Sequence, residues 1–139
     1  MKASFLYRIA SVLLLLFAAG HTVGFLQIDP KWGVDSVIMA MRSIHFDVEG
    51  SNRTYWDFYV GFGLFVSVFL VFSAVLAWQL GGLPAGTLAR MRGTAWALVI
   101  CFGAVAILSL RYFFVIPIAF SIVILLCLTA AAWLSAKPT

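Results

Sequence analysis

Four runs of apolar side chains, at about residues 3–25, 56–80, 93–111 and 117–135, constrain this chain more than any other feature. Each is close to the 20 or so residues that a helix needs to cross a hydrocarbon core roughly 30 Å thick. Inside that core no water can satisfy a backbone N–H or C=O, so a spanning segment must close its own hydrogen bonds, as a helix does. Only 10% of the 139 residues are charged and 64% are apolar, whereas a soluble domain carries roughly 25% charged residues. The expected fold class is therefore all-α: an integral membrane four-helix bundle. The four spans and their connections fill one transmembrane domain over residues 1–139, with no separate soluble domain.

The formal charge of +4 does not point to nucleic acid. The basic residues fall singly among apolar runs and form no stripe. They bear instead on orientation. With four spans, the N-terminus, the 81–93 connection and the C-terminus share one side. That side carries Lys2, Arg8, Arg90, Arg92 and Lys137 and no acidic residue. The other side carries Lys31, Arg42, Arg53 and Arg111 against Asp29, Asp35, Asp47, Glu49 and Asp57. The positive-inside rule then places both termini in the cytoplasm. The first run also has the layout of a secretory signal: Lys2 and Arg8, an apolar centre, and Ala18-Ala19-Gly20 as a possible cleavage site. Apolar character continues through Val23, Gly24, Phe25 and Leu26, so an uncleaved helix is expected.

Residues 27–55 are the one long polar connection, on the outer side. Pro30 and Gly33 break the exit from the first helix. Val34, Val37, Ile38 and Met41 then recur at helical spacing, with Asp35 and Arg42 elsewhere on the cylinder. This predicts a short amphipathic helix lying at the bilayer surface or capping the bundle. His45 to Glu49 alternates polar and apolar residues as an extended segment does, and Gly50-Ser51-Asn52 reads as a turn. Tyr55, Trp56 and Tyr59 mark one interface of the second span and Trp78 the other. Residues 81–93, with Gly81, Gly82, Pro84 and Gly86, read as a loop. Pro117 is the expected start of the fourth span.

Polar groups in spans are costly, and each needs a reason. His21, Asp57 and Arg111 all fall toward the outer face, in one layer with Gln27, Tyr55 and Tyr59. At 1.5 Å per residue His21 lies about 9 Å below Gln27. An Asp57–Arg111 ion pair with His21 beneath it is expected. As a ligand site, His21, Gln27, Asp57, Tyr59 and Arg111 would form a small pocket: Arg111 to hold an anionic or carbonyl group, and Asp57 or His21 to exchange protons. The structural alternative makes Arg111 and Asp57 interfacial anchors and His21 an interhelical bond. A haem held by His21 has no evident second axial ligand, and no cofactor is assigned.

Gly20 and Gly24 form a GxxxG spacing, and Gly63 and Ser67 place small residues four apart on the second span. Both read as helix-packing positions. His45, Asp47 and Glu49 would share one face of a strand and make a weak metal candidate, against which stands the lack of a second ligand-bearing segment. Asn52-Arg53-Thr54 matches a glycosylation acceptor, relevant only in a eukaryotic lumen. Cys101 and Cys127 lie in spans without CxxC or Cys/His spacing and read as small apolar residues. No nucleotide loop, zinc-protease helix, nucleophile elbow or haem-attachment motif is present.

The strings His21-Thr22-Val23-Gly24 and Thr54-Tyr55-Trp56-Asp57-Phe58-Tyr59-Val60-Gly61-Phe62-Gly63 resemble those of a family of small, uncharacterised bacterial four-span membrane proteins. In size and span count the chain is also loosely similar to DoxX-like four-helix proteins. The resemblance implies the four-span architecture and a bacterial inner membrane, and carries no activity with it. The expected role is a non-enzymatic ligand-binding protein, or an accessory subunit of a membrane complex or homo-oligomer. The alternative is a membrane-embedded enzyme acting on a lipid or quinone-like molecule, with Asp57 or His21 as acid/base and Arg111 as anion anchor. A transporter or channel fits less well, because no span carries a polar stripe through its full depth.

Overall fold

A computed structural model describes residues 3–135. Lys2 and Lys137, two of the basic residues used above for orientation, lie outside the described residues. Helix α1 (Ala3–Gly24) is followed by a 3-10 turn at Pro30–Trp32 and by α2 (Asp35–Ser43). Strands β1 (His45–Val48) and β2 (Ser51–Thr54) lead directly into α3 (Tyr55–Gly82), and then come α4 (Ala85–Arg90), α5 (Arg92–Tyr112) and α6 (Val115–Ser135). Helices α1, α3, α5 and α6 are each long and apolar enough to cross a bilayer. The chain is thus a multi-pass membrane protein of the all-α, four-span class.

The boundaries differ from expectation where local hydrogen bonding decides them. The 81–93 connection holds the short helix α4, which Pro84 starts by standing just before its first turn, with the Leu88 N–H on Pro84 O. Helix α6 begins at Val115, two residues before Pro117. Proline is tolerated there because N–H groups of a first turn have no intrahelical acceptor. Only Phe113 and Phe114 separate α5 from α6, and the Phe113 N–H still bonds Ser109 O. Phe113 itself is extended, with φ of −120° and ψ of 179°, and this ends α5 before α6 begins.

The extended reading of His45 to Glu49 resolves into a hairpin. β1 and β2 pair antiparallel, with His45 opposite Thr54 and Val48 opposite Ser51. The turn is Glu49-Gly50 rather than the expected 50–52, with φ of 48° and 77°. Positive φ at both central residues is the two-residue hairpin turn whose twist matches the strands.

Contacts gather the described residues into two compact units, one of residues 3–17 and 70–135, the other of Ala18–Phe69. The first unit contains most of α1, the end of α3, all of α5 and α6, and nearly all of the buried apolar side chains, among them Tyr7, Leu14, Leu70, Phe102, Ile124 and Leu128. Alanine is frequent at its buried positions (Ala10, Ala74, Ala77, Ala131, Ala132), which lets helix backbones approach closely. α1 and the end of α3 run antiparallel there. Ser11 Oγ donates to Ala74 O at 2.7 Å, and the Arg8 guanidinium lies 4.7 Å from the Trp78 ring centre. A Cβ on Gly81 would stand 2.9 Å from the Ser4 carbonyl oxygen, so this closest approach requires glycine. Phe17 of α1 stacks on Phe120 of α6 at 5.2 Å, and Cys101 and Cys127 are free thiols.

Candidate functional site

The candidate side chains other than Arg111 belong to the second unit, built from the end of α1, the 27–54 segment and the first half of α3. His21 sits in the last turn of α1, and its Nε2 is 3.0 Å from Gly63 O. A carbonyl only accepts, so Nε2 carries the hydrogen and donates it, and Nδ1 is left as an acceptor in the neutral ring. The same carbonyl also accepts from Ser67 Oγ at 3.3 Å. Thr22 Oγ1 lies 2.7 Å from both Ala18 O and Ser67 Oγ. A hydroxyl has one proton, so Thr22 donates to one of these at a time. The result is a polar clasp between α1 and α3 made of His21, Thr22, Ser67 and the Gly63 carbonyl.

An aromatic column continues outward from the clasp. His21 stacks on Phe25 with centroids 5.2 Å apart, Phe25 tilts against Tyr59 at 6.0 Å, and Tyr59 stacks on Trp56 at 5.3 Å. The Arg42 guanidinium of α2 lies over Trp56 at 4.1 Å. Tyr59 Oη donates to Phe25 O at 2.6 Å, which pins the first residue past α1 to the second turn of α3. The Phe25 ring fills the space where a Cβ at Gly63 would lie, so Gly63 is glycine to admit that ring. Gly20 and Gly24 behave differently from the GxxxG expectation. Among the described residues nothing stands within 4 Å of a Cβ built on either.

Asp57 has a local task. Its Oδ2 accepts from the Thr54 N–H at 2.8 Å and from Thr54 Oγ1 at 2.9 Å, while the Asp57 N–H points back to Thr54 Oγ1 at 3.2 Å. This is a reciprocal capping box that starts α3 where β2 stops. The signal was in the sequence, Thr54 followed three residues later by an acid. Gln27 is exposed, with its backbone N–H on Gly24 O. Arg111 belongs to the first unit, in the last turn of α5, exposed, with its guanidinium 5.4 Å from the Tyr112 ring centre.

Residues 27–54 rest on α3 through few side chains. Phe46 of β1 packs on Tyr55 and Phe58 at 5.0 and 5.9 Å. On α2, Val34 (its N-cap), Ile38 and Met41 are half-buried, as the helical spacing predicts, but Val37 and Met39 are 56% and 66% exposed. The metal candidates do not converge. Glu49 leaves the strand for the turn, Asp47 accepts from Asn52 Nδ2 at 3.1 Å, and His45 Nδ1 donates to Ser43 O at 3.0 Å. Among the described residues no three His, Cys, Asp or Glu side chains are grouped to hold a metal ion.

Comparison with protein families, curated proteins and solved structures finds no match for this chain.

Proposed function

We propose that this chain is a non-enzymatic module of the bacterial inner membrane, ligand-binding or accessory to a larger membrane assembly. Both termini face the cytoplasm, and segment 27–54 is presented outward as the contact surface. One observation carries the reading. The side chains best suited to proton chemistry are engaged in holding backbone: His21 on Gly63 O, Asp57 on the Thr54 N–H, Tyr59 on Phe25 O. A general acid or base must reach a substrate proton, and in each of these groups one polar atom is already bonded to the chain. Meanwhile the outer segment exposes Trp32, Val37, Met39 and Ile44, apolar residues that suit a partner or the interfacial layer of the bilayer.

The test is purification in mild detergent of the wild type and of a Val37→Ser/Met39→Ser variant. Neither residue is buried, so the variant should fold normally. The wild type should retain a stoichiometric partner or ligand that the variant loses. Equal retention by both proteins counts against the outer segment as the contact surface. The enzymatic alternative rests on His21 Nδ1, the ring nitrogen that the Gly63 bond leaves over. Turnover of a lipid or quinone-like substrate by the purified chain, lost in a folded His21→Ala variant, would replace our reading with that one.

A further inference from the structure

An open groove of about 230 Å³ runs along the exposed face of α3, lined by Arg53, Asp57, Phe58, Gly61, Phe62 and Phe65. Its mouth is charged and its track is apolar. Phe62 and Phe65 are 62% and 71% exposed, and with Phe58 they form a row of rings in contact. Gly61 leaves a gap in that row, with nothing within 4 Å of a Cβ built there. The mouth lies at the level of Tyr55, Trp56 and Tyr59, residues that favour the headgroup layer, and the track descends α3 into the apolar core.

The two charges at the mouth have opposite signs and unused bonding capacity. Arg53 donates from Nη1 to Asn52 O at 2.7 Å, one of the five donors that a guanidinium carries. Both Thr54 bonds to Asp57 fall on Oδ2, which leaves Oδ1 to accept. We propose that this groove is a binding site for a zwitterionic aminophospholipid: the phosphate on Arg53, the primary ammonium on Asp57 Oδ1, and one acyl chain over Gly61 between the phenyl rings. A guanidinium matches a phosphate in charge and geometry. A primary ammonium can donate to a carboxylate, whereas a quaternary choline has no N–H to give, and a glycerol headgroup leaves Asp57 without a cation. The site is therefore selective for ethanolamine over choline and glycerol headgroups. It goes beyond the outer contact surface proposed above, and of its lining residues only Arg53 belongs to segment 27–54.

Native mass spectrometry of the full chain released from detergent micelles tests this, with dioleoyl phosphatidylethanolamine, phosphatidylcholine and phosphatidylglycerol as probes. One phosphatidylethanolamine per chain should be retained, with about tenfold preference over the other two, the weight of one charge-assisted hydrogen bond at an interface. Arg53→Gln and Asp57→Asn should each lower that retention about tenfold. Asp57→Asn keeps an oxygen for the Thr54 cap, and Arg53→Gln leaves the cap untouched. A Cβ at position 61 meets nothing within 4 Å, so Gly61→Leu places its side chain in the groove and should abolish retention in a normally folded protein. Equal retention of the three lipids, or unchanged retention in Gly61→Leu, would overturn the proposal. So would a wild-type dimer that Gly61→Leu converts to monomer, because a second copy would then occupy the groove.

Discussion

Replacing His21 by phenylalanine separates the two things that its ring does. The ring bonds Gly63 O at 3.0 Å and stacks on Phe25 at 5.2 Å. Phenylalanine keeps a stackable ring and removes only the bond. Interhelical bonds in membranes average about 0.6 kcal/mol and reach about 1.7. The Gly63 carbonyl keeps a weaker donor, Ser67 Oγ at 3.3 Å, so it is not orphaned. The loss should therefore be roughly 0.5–1 kcal/mol. His21→Ala removes the stack as well, which adds about 0.5–1.5 kcal/mol and brings the total to about 1–2.5 kcal/mol. Unfolding of the detergent-solubilised protein against sodium dodecyl sulfate, followed by tryptophan fluorescence, reads both variants. The clasp is refuted if His21→Phe costs as much as His21→Ala, or if both leave stability unchanged. Either result would place the value of His21 somewhere other than this clasp.

Four further outcomes follow from the same geometry. Thr54→Ala should cost about 1 kcal/mol as a lost cap, and Asp57→Ala should also destabilise, because it removes the acceptor of the Thr54 N–H; the double variant, measured by the same unfolding assay, should cost little more than the costlier single variant. Gly81→Ala should destabilise by about 1–3 kcal/mol through collision with the Ser4 carbonyl, while Gly20→Ala and Gly24→Ala, with open space around them, should be neutral or slightly stabilising. Glu49→Asn should raise the midpoint of unfolding, because asparagine tolerates the positive φ of the Glu49-Gly50 turn better than glutamate does. Arg42→Ala should weaken the docking of α2 by about 0.5–1 kcal/mol and change Trp56 emission.

The spans were legible because lipid imposes length and apolarity on sequence directly, and α1, α3, α5 and α6 fall within a few residues of the four apolar runs. The amphipathic α2 was legible for the same reason of periodicity, although Val37 faces outward where the spacing put it with Ile38. What escaped has physical causes. A glutamate with positive φ carries no turn signal of its own, so the hairpin turn was displaced to Gly50-Ser51-Asn52. Small-residue spacing does not say which glycine meets a backbone. Gly20 and Gly24 looked the part, but Gly63 admits the Phe25 ring and Gly81 admits the Ser4 carbonyl. The candidate site was legible as a layer but not as a set of bonds, because the partners of His21 and Tyr59 are backbone carbonyls, which have no letter in the sequence. Asp57 could have been read as a cap from Thr54 three residues earlier.

Side-specific cysteine labelling in sealed membranes tests the four-span arrangement most directly. Cys101 and Cys127 are first replaced by serine, and single cysteines are then placed at the exposed Ser51 in the hairpin and the exposed Thr87 in α4. A membrane-impermeant maleimide should reach position 51 only from the outer face and position 87 only from the cytoplasmic face. Labelling of both from the same face, or of both from either face, would contradict a chain threaded four times through the bilayer with its hairpin outward.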